Sequence, residues 1–213
     1  MSKDLQHEKN GTQLNTSEPN WQLVSAADLD TTSGPVSHTS SGFLTVNTAE
    51  TRAQLRRGEH RNALLRFRYR GPSATMEPNA SGQIIQQIGI KLRSLNTCNV
   101  LYLMWRSLPQ ESIVVKVKRN PRQTIHSECH NNGYHTISPT SSTGLGATAT
   151  DNRAHRLHAQ IEERASDFLV RVFADEQLVW SGEIGLDLLD GIHGAAGFRT
   201  DNGSFIFKMF VAD

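Results

Sequence analysis

Downstream of Trp21 the chain is a succession of short segments in which apolar and polar residues alternate, punctuated by Gly, Pro, Asn and Asp at roughly 8–12-residue intervals. Leu65, Phe67 and Tyr69 alternate with Arg66, Arg68 and Arg70, and Leu157, Ala159 and Ile161 alternate with His158 and Gln160. Further strands are expected over residues 42–46, 84–93, 100–106, 113–118, 124–130, 168–174, 178–180, 196–200 and 204–211. Asp175, Glu176 and Gln177 form a tight turn, and 185–190 suits a single helical turn. Residues 71–82 and 138–152 read as loops. No segment keeps a helical period for long. About ten strands exceed what a small barrel holds and predict an all-β fold, a two-sheet antiparallel jelly-roll sandwich.

A chain of 213 residues can bury roughly 70% of its unfolded surface, so one domain over residues 19–213 needs no staple. Residues 1–18 are polar and read as a disordered tail. They lack the apolar stretch of a secretory leader, which points to the cytoplasm. No apolar run is long enough for a transmembrane helix, so no membrane partner is expected. Twenty-two basic residues against 21 acidic ones argue against a nucleic-acid binder, and any electrostatic function must come from local segregation of charge. Two cysteines, Cys98 and Cys129, exclude a disulfide framework and a paired-cysteine zinc site. Two buried thiols are the expected state, with a single bridge as the alternative.

Four segments in the C-terminal third carry a resemblance: His155-Arg-Leu-His-Ala-Gln-Ile, Phe168-Leu-Val-Arg-Val-Phe-Ala-Asp, Leu178-Val-Trp-Ser-Gly and Gly194-Ala-Ala-Gly-Phe-Arg-Thr-Asp-Asn. In order and spacing they resemble the concanavalin A-like lectin/glucanase superfamily, a likeness that extends in strand order over about Trp21 to Asp213. It implies the sandwich fold, and a fold shared by lectins, glycoside hydrolases, polysaccharide lyases and interaction modules. The glucanase strand that pairs carboxylates, Glu-x-Asp-x-x-Glu, is absent. A retaining glycosidase needs two carboxyl groups ~5 Å apart, so glycoside hydrolysis is not expected.

Strand alternation sorts the central segments into two faces. With Ile88, Ile90, Leu92, Leu101, Leu103, Trp105, Val115 and Val117 turned inward, the other face carries Gln87, Lys91, Arg93, Tyr102, Arg106, Lys116, Lys118, His126, Glu128 and His130. On a curved sheet these cations would focus their field on an anionic or polar ligand, a small molecule or a glycan. Gln87, Lys91, Arg93, Tyr102, Lys116 and Lys118 are the candidate binding residues; His126, Glu128, Tyr134 and Arg106 are the candidate catalytic ones.

Three chemistries suit such a face. In β-elimination on a uronate, Gln87 and Arg93 would neutralise the carboxylate, His126 would act as base and Tyr102 or Tyr134 as acid. The alginate-lyase strand signatures are absent, Ile90-Lys-Leu-Arg93 being a faint echo. The second is cyclisation or isomerisation of a small molecule, with Tyr102, Met104, Trp105 and Tyr134 as walls and His126, Glu128 or Arg106 as acid–base groups. The third is a divalent metal at His126, Glu128 and His130, joined by His135. Three alternate residues of a straight strand span ~13 Å, so at most two could reach one ion, and no cofactor is expected. A non-catalytic lectin or interaction module is the alternative to any enzyme.

Overall fold

The computed structural model describes residues 20–213; the predicted tail lies outside the described residues. In chain order the strands are β1 (Gln22–Leu23), β2 (Leu29–Ser33), β3 (Ser37–His38), β4 (Leu44–Val46), β5 (Glu50–Leu55) and β6 (Asn62–Pro72). Then come β7 (Gln86–Asn96), β8 (Asn99–Leu108), β9 (Ser112–Lys118), the helical turn α1 (His126–Cys129), β10 (Tyr134–Ile137) and β11 (Ser141–Ser142). Finally β12 (Ala154–Glu163), β13 (Asp167–Ala174), β14 (Gln177–Gly185), α2 (Leu186–Leu189), β15 (Ala195–Asp201) and β16 (Gly203–Ala212) close the chain.

The strands form two antiparallel sheets. One has seven strands in the order β10-β9-β8-β7-β15-β5-β2. The other has nine, in the order β11-β14-β13-β12-β6-β16-β4-β3, with β1 also paired to β16. Sequence neighbours β7, β8, β9 and β10 form a meander, whereas β15 inserts between β5 and β7 and β16 between β4 and β6. The last two strands thus tie both halves of the chain together, as a jelly roll requires.

One core lies between the sheets. Ile88, Ile90, Leu92, Leu101, Leu103, Trp105, Val115 and Val117 of the smaller sheet meet Leu65, Phe67, Leu157, Ala159, Val170, Val172, Phe205, Phe207 and Met209 of the larger. Phe67 packs edge-on against Trp105 at 5.6 Å, and Phe198 against Phe207 at 4.8 Å. Truncating a buried aromatic of this kind to alanine costs about 3–5 kcal/mol. The inward parity expected from alternation holds in β7, β8 and β9.

Three expectations are corrected. Residues 124–130 are not a strand: the Glu128 carboxylate accepts the backbone N–H groups of Thr124 (2.8 Å) and Ile125 (3.3 Å), starting the turn α1. His130, at φ 44°, ends it. A local carboxylate-to-backbone bond outcompetes a sheet ladder here. Cys98 and Cys129 are bridged, with Cα atoms 5.9 Å apart, rather than free. Arg93, at φ 50°, sits where the β7–β8 register shifts, and the alternation fails there.

Candidate functional site

The outer face of the seven-stranded sheet holds a groove of about 810 Å³. Register places its floor row by row. Gln87 lies opposite both Arg106 and Asp201, and Asp201 opposite Glu50. Gly89 lies opposite Met104 and Arg199, and Arg199 opposite Arg52. Lys91 lies opposite Tyr102, Tyr102 opposite Lys116, and Lys118 opposite Tyr134. Gly89 must lack a side chain, because a Cβ there would collide with the Leu103 carbonyl and the Met104 sulfur. The gap it leaves lies beside Arg199 in the register.

The walls are loops held by side chains. Asn202, in the left-handed region at φ 52°, donates to the carbonyls of Glu77 (3.0 Å) and Ile85 (2.9 Å) and accepts from Glu77 N–H (2.8 Å). Asp201-Asn-Gly203 is therefore a turn that also fastens the loop whose Glu77, Pro78, Asn79 and Ser81 line the groove. The opposite contribution comes from His126 and Asn131. Their segment is fixed by the Cys98–Cys129 bridge, by Asn120 Nδ2 donating to the Cys98 and Asn132 carbonyls, and by Lys118 Nζ donating to the His130 carbonyl at 2.7 Å.

Most cations of the floor are locked. Arg199 grips Asp201 through both carboxylate oxygens at 2.9–3.1 Å, donates to the Tyr134 hydroxyl at 3.3 Å, and lies 5.3 Å from the Tyr102 ring centre. Burial opposes the Arg199 charge, yet Asp201, Tyr134 and Tyr102 together outweigh it and hold the guanidinium firmly protonated. Arg52 is paired with Glu50. Lys91, 1% exposed, reaches Gln54 Oε1 at 3.3 Å. Burial, reinforced by Arg52 and Arg199, pulls the Lys91 amine down to about 7 and the Lys118 amine to about 8. Burial also drives the Tyr102 phenol up to about 12.

Two cations are not locked. Gln87 accepts from Arg106 Nε at 3.4 Å while donating to Asp201 at 2.6 Å, so the chain Arg199–Asp201–Gln87 aims Arg106. Both terminal nitrogens of Arg106 have no acceptor among the described residues. Lys116 makes only a cation–π approach to Tyr134, at 5.9 Å. Its pKa is lowered by burial and then by Arg106 and Arg199, so it sits in a field that an anion would relieve. The His126 imidazole is likewise held below its ordinary value by burial, then by Arg52 and Lys118, which keeps it neutral near pH 7. The groove can therefore accept anionic groups at Arg106 and Lys116, with tyrosine faces between them.

Of the residues singled out from sequence, Gln87, Tyr102, Arg106, Lys116, His126 and Tyr134 line this groove. Lys91 and Lys118 lie beneath its surface, donating to Gln54 and to the Thr97 and His130 carbonyls respectively. Arg93 is elsewhere: its guanidinium stacks 4.6 Å from the Phe168 ring and donates to the Ile192 carbonyl at 2.6 Å. Glu128 is an exposed helix-turn cap rather than an acid–base group facing the floor. With no strand at 124–130, Glu128 turns back to cap Thr124 and Ile125 while the His126 and His130 rings lie 6.3 Å apart, and His135 takes the face of β10 opposite to Tyr134. Among the described residues no cluster of His, Cys, Asp and Glu could hold a metal ion.

Glu50, Arg52, Arg199 and Asp201 escaped the sequence reading. Their signal was present: each strand carries an acid and an arginine two positions apart, hence on one face. What the sequence did not show was that β15 lies between β5 and β7, which brings both pairs beside Gln87.

No family model matches the chain, and no curated protein does. Solved structures do. The carbohydrate-binding module CBM66 from Bacillus subtilis superposes with a TM-score of 0.55 at 11% identity, over 84% of this chain and 91% of that one. The carbohydrate recognition domain of Emp46p gives 0.52 at 11% identity, over 87% and 88%. A functionally unknown protein from Saccharomyces cerevisiae gives 0.50 at 13% identity, over 89% and 99%. At such identities the likeness establishes the fold alone, a two-sheet antiparallel jelly-roll sandwich. That fold is the concanavalin A-like one, as the strand order and the C-terminal segments imply.

Proposed function

We propose that this chain is a carbohydrate-binding sandwich whose groove takes an acidic oligosaccharide, with carboxylate or sulfate groups at Arg106 and Lys116. The observation that carries the reading is the division of cations. Arg52 and Arg199 are held in ion pairs with Glu50 and Asp201, whereas Arg106 and Lys116, in the same groove, make no ion pair among the described residues, Asp201 acting on Arg106 only from beyond contact distance. Two superposable structures, CBM66 and the Emp46p domain, are named for carbohydrate binding, which supports the ligand class. Tyr102 and Tyr134, with ring centres 6.1 Å apart, offer faces against which sugar C–H groups pack. Calorimetric titration with uronate oligosaccharides and with neutral oligosaccharides of equal length tests it. Arg106→Gln with Lys116→Gln should weaken uronate binding about a hundredfold, two charge-assisted contacts being lost. Equal affinity for the neutral sugars would refute the reading.

A catalytic version has its own support in Tyr134, whose hydroxyl accepts a hydrogen bond from Arg199, facing the same groove as the neutral His126. In a β-elimination Arg106 and Lys116 would neutralise the uronate carboxylate, His126 would take the α-proton, and Tyr134 would protonate the leaving oxygen. Rising absorbance from unsaturated uronates, abolished in His126→Ala with binding retained, is the expected signature; binding without product leaves a lectin. We also place the working protein in an oxidising compartment, on the strength of the Cys98–Cys129 bridge. Thiol labelling of protein isolated without reductant should find no free cysteine.

A further inference from the structure

The groove does not use the arginine strand that dominates the first half of the sequence. In β6, Leu65 and Phe67 enter the core, so Arg66 and Arg68 stand on the outer face of the nine-stranded sheet. Register sets Arg66 directly between Arg156 of β12 and Lys208 of β16. Three cationic side chains thus stem from adjacent strands, about 5 Å apart at the backbone, with Arg156 ion-paired to Glu176. Aromatic rings hold two of the heads in place: Arg66 lies 5.3 Å from the Phe210 ring centre and Lys208 4.5 Å from that of Phe43. Of Arg68, Arg156 and Lys208, only Arg156 has a carboxylate partner among the described residues, Glu176. Arg68 makes no hydrogen bond or ion pair there, and its Nε is buried without an acceptor.

We infer that this outer face is a second binding surface, for a strand of acidic polysaccharide lying across β12, β6 and β16. A row of cations at strand spacing matches a ligand whose charges repeat, and guanidinium forks suit carboxylate and sulfate oxygens. The surface lies back to back with the groove, across the thickness of the sandwich. One molecule then engages two polyanion segments at once, and long chains become cross-linked.

The test silences the groove first. In the Arg106→Gln/Lys116→Gln background, polygalacturonate and dextran sulfate should still bind at low salt. Adding Arg68→Gln and Lys208→Gln should weaken that binding about tenfold or more with melting unchanged, two contacts to anions being removed. In the otherwise native protein the same two changes should abolish the light scattering that long polygalacturonate induces, while short uronate oligosaccharides bind as before. Should the double change unfold the protein, Arg68→Gln or Lys208→Gln alone supplies the same comparison. Affinity unchanged by these substitutions overturns the inference, as does equal or tighter binding of duplex DNA or of phosphatidylserine vesicles. The groove reading fails separately, if Arg106→Gln/Lys116→Gln leaves short oligosaccharide binding intact.

Discussion

Removing the Asp201 carboxylate is the sharpest probe of how the groove is held. Asp201→Ala leaves the Arg199 guanidinium, 16% exposed, without its two-pronged partner and strips Gln87 Nε2 of its acceptor. Breaking a buried ion pair from one side costs about 3–5 kcal/mol. Glu50 stands 3.6 Å from Arg199 and takes over part of the role, which favours the lower figure. The lost Gln87 bond adds about 1 kcal/mol. The sum is about 4 kcal/mol, or roughly 8–16 °C in Tm for a domain of this size. Thermal and urea unfolding, followed by circular dichroism, would measure it. Arg199→Met combined with Asp201→Ala removes the stranded charge and should recover at least about half of the loss. A single-variant loss below about 1 kcal/mol, the value of a solvated pair, would refute the claim that this pair organises the floor. So would a double variant no more stable than the single one.

Lys91, with its folded pKa near 7 against an ordinary 10.5, binds fewer protons folded than unfolded between those values. Stability should therefore rise as pH increases from about 7, reinforced by Lys118 from about 8, and Lys91→Met should flatten that rise in pH-dependent unfolding. Tyr102, pushed up to about 12, acts oppositely above pH 10, where the unfolded chain ionises first. Gly89→Ala should cost about 1–3 kcal/mol by forcing β7 from β8, visible as a lower urea midpoint. Opening the Cys98–Cys129 bridge, which spans 31 residues, should cost about 3–4 kcal/mol and lower Tm in the presence of reductant.

The parity of β7, β8 and β9 was legible because each strand keeps a period of two between clear turns, and with it came Gln87, Tyr102, Arg106 and Lys116. The reading failed where a local bond overrode the period. Glu128 turned an alternating segment into a helical turn, and a register shift at Arg93 swung a predicted floor residue toward Phe168. Arg199, inside the strand expected at 196–200, and Asp201, at the turn that follows it, have the right spacing, but no local pattern reports which strands become neighbours. The Cys98–Cys129 bridge depends on the same long-range closeness.

The division between fixed and unfixed cations has a kinetic consequence. All the buried charges contribute to the potential that an approaching anion feels, whether or not they touch it. Only Arg106 and Lys116 can close on it afterwards. Ionic strength should thus govern mainly how fast a ligand arrives, whereas substitution of either free side chain should govern how long it stays.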